Sequence, residues 1–131
     1  MNDRPPITVI ETLEFIKDAK RYFDEAERWR LISAIAHDPK KGDVMVGTGG
    51  ARKLRWARIG TGKSGGFRVV YYFHSAAVPV FLLSVFAKNE RINLSKTELN
   101  ELAKILSRLA DDYRRGMKRH VKGRRKADPR R

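Results

Sequence analysis

The residues best equipped for chemistry in this chain are cations at alternating spacing. In "ARKLRWARI", side chains of an extended strand alternate with period two, which puts Lys53 and Arg55 on one face and Leu54 and Trp56 on the other. Arg68 follows in the next extended run, "FRVVYYFH". Lys63 lies in the glycine-rich connection between the two runs, and Lys88 and Arg91 come at the end of the apolar run "VPVFLLSVFAK". Cations converging from neighbouring segments of one sheet suit an RNA phosphodiester. Arginine and lysine there would stabilise charge building on the phosphoryl oxygens. A lysine crowded by other cations gives up its proton more readily and can take one from a hydroxyl. The plainer reading of the same residues is a solvated basic face. Of the aromatics that could stack on bases, Trp56 and Tyr71 fall on the core face, which leaves Tyr72.

Other chemistries find less support. "GTGKSGG" ends like the phosphate-binding pattern G-x-x-x-x-G-K-[ST], but Ala57 stands where that pattern needs glycine. The pattern also needs a helix after the loop, whose N-terminus holds the phosphates, whereas "FRVVYYF" is β-branched and aromatic and reads as a strand. A glycine-rich loop between two strands is a hairpin connection. His37, His74 and His120 are far apart and lack metal-ligand spacing, so no metal or other cofactor is expected. His37 is expected at a helix C-terminus and His74 at a strand end. The carboxylates cluster on helices, on outer faces, and Asp111 and Asp112 read as solvated charge.

The elements that must position the cations follow from pattern. Residues 6–11 form a short strand. Residues 12–22 read as a helix with Leu13, Ile16 and Ala19 at helical spacing and Phe15 and Phe23 widening the apolar face. Asp24 and Glu27 form a capping pair for a second helix, in which Trp29, Ile32 and Ala36 line up beside Leu31 and Ile35, and which stops before Pro39. "KKGDVMVGTGG" reads as a loop. Three strands follow, the last strongly apolar, as expected of a central strand covered on both faces, with Pro79 near its start. Ser95 and Glu98 form a capping box for a final helix with a stripe of Leu99, Leu102, Ile105 or Leu106, Leu109 and Tyr113, ending near Gly116. The sum is β-α-α-β-β-β-α. It is an α+β domain over residues 1–115, a small antiparallel sheet with two N-terminal helices and a C-terminal helix packed on it, followed by a basic tail over 116–131.

Composition agrees with an anionic partner. Lys and Arg number 29 against 15 acids, a net charge of +14, and residues 114–131 alone carry +9. Such a segment binds nucleic acid by counterion release and names a class of partner, not a function. No cysteine is present, which excludes disulfides and is compatible with a reducing cytoplasm. No run of eighteen apolar residues and no leader-like start is visible, so no membrane association is expected.

"GDVMVGTGGARKLRWARIGTGKSGGFRVVYYF", followed by "FLLSVFAKNERINLSKTELNEL", resembles the RelE/HigB family of bacterial toxins from toxin–antitoxin pairs. The HigB-like branch is closest, with its G-T-G-G-x-R-K-x-R strand, G-x-G-K-x-G-G loop, R-[VI]-[VI]-Y-Y strand and K-N-E turn. The match covers about residues 40–105, and the two preceding helices fit the same fold. The resemblance implies a metal-independent endoribonuclease that cuts messenger RNA in the ribosomal A site, restrained by a cognate antitoxin. In such enzymes the RNA 2′-hydroxyl attacks the adjacent phosphate, leaving a cyclic phosphate and a 5′-hydroxyl. By matching positions, Lys53 and Arg55 become candidates for base and transition-state clamp. Arg68 would hold the phosphate, and Lys88 matches the basic turn before the last helix. Arg52, Lys63, Tyr72, Asn89 and Arg91 would add RNA contacts. One departure is visible: the RelE branch places a tyrosine shortly after the turn, and "RINLS" has none. Which residue is base and which is acid therefore stays open. A non-catalytic nucleic-acid-binding module of the same fold is the alternative.

Overall fold

The computed structural model describes residues 5–57, 66–90 and 95–126, with side chains to 116. The elements run β1 (Val9–Glu11), α1 (Leu13–Tyr22), α2 (Glu25–His37), β2 (Asp43–Val44), β3 (Ala51–Trp56), β4 (Phe67–Tyr72), β5 (Val80–Ala87) and α3 (Lys96–Lys126). Each helix starts where a side chain satisfies an orphan backbone amide. Thr12 accepts from Phe15 N at 3.2 Å and Asp24 from Glu27 N at 2.7 Å. Ser95 and Glu98 bond each other's amides reciprocally, at 3.1 and 2.8 Å, as the capping box requires.

The strands form one sheet in the order β1-β5-β4-β3-β2. It is mixed, not purely antiparallel as the pattern suggested: β1 pairs parallel with β5, Val9 opposite Val80. That pairing, with β4 on the other side, makes β5 an inner strand and accounts for its strong hydrophobicity. β5 also carries a bulge between its pairings with Val70 and Tyr71, so Leu82 and Val85 turn to the same face although three residues apart. β2 is a second departure, a two-residue edge strand inside the expected loop. The chain returns from β2 to β3 through Gly47, Gly49 and Gly50 at φ of 83°, 77° and 122°, values that L side chains avoid.

Both faces of the sheet are covered. One buries Leu54, Trp56, Phe67, Val69, Tyr71, Val80, Leu82 and Val85 under Phe15 and Ala19 of α1 and Leu31 and Ile35 of α2. The other buries Ala51, Val70, Tyr72, Phe81 and Phe86 under Leu106 and Ala110 of α3. Two expected core residues lie outside: Leu13 is 86% and Trp29 63% exposed. At 100° per residue, Leu13 points nearly opposite to Phe15, and Trp29 nearly opposite to Leu31; the buried member of each pair sets the face. Of the alternatives on α3, Leu106 is buried and Ile105 half exposed. The helix does not end at Gly116 but runs on to Lys126.

α1 lies along β5, and there Asp18 Oδ2 accepts from Val85 N at 3.1 Å. Burial pushes the Asp18 carboxyl above the ordinary aspartate range, outweighing the lowering effect of that hydrogen bond. The folded state therefore binds more protons than the unfolded state just above the ordinary carboxylate pKa, and stability falls as pH rises through that window. Asp18→Asn keeps an acceptor for Val85 N and is expected to flatten this fall in a melting-temperature profile against pH. Asp18→Ala instead strands the amide and is expected to cost about 1–3 kcal/mol.

Candidate nucleic-acid interface

The register of β3 and β4 assembles the cations. Leu54 pairs with Val69 and Trp56 with Phe67 on the α1/α2 face. Lys53 stands opposite Val70 and Arg55 opposite Arg68 on the face that α3 covers further along. Directly opposed strand residues have Cβ atoms roughly 5 Å apart, and like charges there repel. Arg55 is exposed and Arg68 half-buried, with Arg68 Nη1 donating to its neighbour's carbonyl, Phe67 O, at 3.2 Å. Among the described residues no carboxylate pairs with either guanidinium; the acids are engaged elsewhere, as in Glu11 with Arg28, Glu27 with Arg30 and Glu90 with Arg21. Two opposed arginines with no acid paired to either among the described residues are an arrangement that an anion would satisfy.

The turn after β5 adds to this end of the sheet. Lys88 N donates to Gly66 O at 3.1 Å, which sets Lys88 and Asn89, both exposed, beside the start of β4. Asn89 borders a shallow pocket with Arg21, Tyr22, Gly66, Phe67 and Glu90. Lys63 and Arg91 lie outside the described residues. The antiparallel pairing of Trp56 with Phe67 makes the glycine-rich segment the link between two strands, with no helix after it.

Two residues expected to contact RNA lie apart from the exposed cation row. Arg52 faces the other way, opposite Tyr71, where its Nη1 donates to Gly42 O at 2.8 Å and Lys40 O at 3.2 Å. With Tyr71, whose hydroxyl accepts from Gly42 N and donates to Pro39 O, both at 2.8 Å, it ties the 39–42 segment to the sheet. Burial raises the Tyr71 hydroxyl above the usual tyrosine range, so it remains a donor. Tyr71→Phe removes both bonds and is expected to cost about 1–3 kcal/mol in denaturant unfolding. Tyr72 is on the right face but only 3% exposed, paired with Ala51 beneath α3, and has no surface on which a base could stack.

His37 and His74 stand where pattern suggested. His37 Nδ1 contacts Ser33 O at the end of α2, and His74 follows β4, against Arg114 of α3. Among the described residues no cluster of three or more His, Asp or Glu could hold a metal ion, and no helix is long and apolar enough to cross a membrane. A groove of about 920 Å³, bordered by His37, Phe73, His74 and Tyr113, opens at the end of the sheet away from Arg55 and Arg68.

A family model described as the RelE toxin of the RelE/RelB toxin–antitoxin system matches residues 9–125. The chain belongs to the RelE toxin family. The match takes in the whole sheet and nearly all of α3, past Gly116. Among solved structures, this RelE-family chain is similar to the E. coli toxin RelE, in a free-state form with two arginines changed to alanine. The TM-score is 0.51 at 16% identity, over 80% of this chain and 99% of that one. At that identity the likeness supports the α+β fold alone.

Missing from the sequence reading was the cluster formed by Arg21, Tyr22 and Glu90. Its members lie 68 and 69 residues apart in the chain, and no local pattern joins them.

Proposed function

We propose that this RelE-family toxin cuts messenger RNA on the ribosome, and that the opposed pair Arg55 and Arg68 is the centre of its site. Arginines directly opposed across β3 and β4, with no carboxylate paired to either among the described residues, carry this reading. In the cleavage, the 2′-oxygen bonds to phosphorus while the bond from phosphorus to the 5′-oxygen breaks. The 2′-hydroxyl proton passes to a base and the 5′-oxygen gains one. Arg68 and Arg55 would hold the non-bridging oxygens as their charge grows, supplying from side chains the positive charge for which other nucleases use a metal. Lys53, two residues before Arg55 on the same face, and Lys88 are the nearest candidates for proton transfer. Asn89, Lys63 and Arg91 would hold flanking RNA. The toxin would act in the cytoplasm and be silenced by a cognate antitoxin that covers the cation row or displaces an element beside it.

The test is induced expression with primer extension on a reporter transcript. Growth arrest with discrete cuts inside the reading frame is the expected result. A second reading, a non-catalytic RNA-binding module, is favoured by two observations: no tyrosine stands between the Lys88–Glu90 turn and α3, and Tyr72 is buried. Normal growth with intact transcripts at good soluble expression, together with RNA binding lost in Arg68→Ala, would establish it instead.

Residues 116–131 would form a functionally separate basic arm. Eight of them are Lys or Arg, and each phosphate neutralised adds about 0.7–0.9 to the slope of log affinity against log salt. Deleting the segment is expected to make that slope shallower by several units for any RNA sequence, measured by anisotropy between about 50 and 200 mM salt.

A further inference from the structure

Polar contacts step along one side of α1 in register with β5. Thr12 Oγ1 donates to Leu82 O at 2.7 Å, and Asp18 accepts from Val85 N. At the end of the helix the Tyr22 hydroxyl hydrogen-bonds the Ala87 backbone and donates to Glu90 Oε1, while Arg21 Nη2 donates to Glu90 Oε2 at 3.0 Å. Both carboxylate oxygens of Glu90 are thus taken by α1. The Tyr22 ring is itself fixed, 5.1 Å from the ring of Phe67. Burial, and then the bond to Glu90, raise the Tyr22 hydroxyl above the usual tyrosine range, so it stays a donor.

Glu90 closes the turn that carries Lys88 and Asn89. Its amide donates to Ala87 O at 3.0 Å, and Lys88 N donates to Gly66 O, one residue before β4. Arg21 and Glu90 are 68% and 41% exposed as side chains, and ion pairs of that kind contribute little to stability. What the cluster fixes is position: two successive residues of a packed helix hold one carboxylate on an exposed turn. Misplacing a catalytic group by about 1 Å can cost about a hundredfold in rate.

We propose that Glu90, held by Tyr22 and Arg21, is a positioning residue that fixes the Lys88–Asn89 turn at the mouth of the cation row, and so sets the rate of RNA cleavage without touching RNA. This role in cleavage rests on the proposed function, whereas the anchoring of the turn can be read without activity. Three full-length variants test it: Glu90→Ala, Glu90→Gln and Tyr22→Phe. Hydrogen exchange at the amides of Lys88 and Glu90 should speed up in Glu90→Ala and Tyr22→Phe, with the amides of β3 and β4 unchanged. Single-turnover cleavage of ribosome-bound message should fall about tenfold in both, with ribosome affinity within about twofold and the melting temperature nearly unchanged. Glu90→Gln, which can still accept from Tyr22, should recover most of the rate.

Unchanged exchange would overturn the anchor. Faster exchange with wild-type cleavage, or a rate loss that simply follows a lowered melting temperature, would overturn the positioning role. A wild-type protein that binds ribosomes and never cuts would refute the nuclease reading and the role in cleavage with it. A wild type that cuts, beside variants that cut equally well, refutes the positioning role alone.

Discussion

Changing Arg55 and Arg68 together to alanine is expected to abolish message cleavage and growth arrest while leaving the protein at least as stable as the wild type. The two effects have one cause. Arg55 and Arg68 face each other across β3 and β4 with no acid paired to either among the described residues. Opposed like charges destabilise a strand pair, so removing them relieves repulsion in the protein without RNA. At the proposed site, the same charges would meet an RNA phosphate whose oxygens gain charge in the transition state. Losing one such preorganised donor costs about 10²–10³ in rate. Each single variant should therefore lose about that factor in single-turnover cleavage. Arg68→Lys should recover less than its retained charge suggests, because an ammonium cannot reproduce the two-pronged guanidinium contact. The paired measurements are cleavage of ribosome-bound message and thermal unfolding of the same preparations. An inactive double variant that unfolds markedly earlier than the wild type would mean that the arginines are structural and that the cation row has been misread.

Alternation along β3 is why this site was legible at all. It separates Lys53 and Arg55 from Leu54 and Trp56, and the structure keeps that separation. The same rule, applied one residue earlier, puts Arg52 with Leu54 and Trp56. Arg52 entered the RNA set by residue type and left it by position. Tyr72 failed differently: its face was right, but the face is covered there by Leu106 and Ala110, and where a helix docks is a tertiary fact. Helix starts were legible because a capping side chain is a local chemical event, as at Asp24 and Ser95. The parallel pairing of β1 with β5 was not, since it joins residues some seventy positions apart without a turn between them. The bulge in β5 was hidden because all its neighbours but Ser84 are apolar, so a slip of face leaves little mark in the pattern. Glu90 was visible only as the last residue of the K-N-E turn, because its contacts depend on Tyr22 at the end of a helix far away in the chain.

The helix that covers Tyr72 offers the sharpest test of stability. Leu106→Ala is expected to cost about 3 kcal/mol and to lower the melting temperature by roughly 10 °C. α3 is strongly charged and meets the sheet through few apolar groups. Among its described side chains Leu106 and Ala110 are buried, while Leu102, Leu109 and Tyr113 are only partly covered. Packing of an apolar face, more than propensity, holds such a helix in place, and Leu106, at 1% exposure, supplies the largest fully buried side chain on it. Ile105→Ala is the control. It removes a similar aliphatic mass one residue away at a position 48% exposed, and should cost under about 1 kcal/mol. The difference between the two variants reports burial against Val70, Phe81 and Phe86. Below its melting temperature, Leu106→Ala should retain cleavage, because Arg55 and Arg68 are carried by paired strands and not by the helix. An inactive but folded Leu106→Ala protein would show instead that α3 does more than cover the sheet, and that the cation row depends on it for its shape.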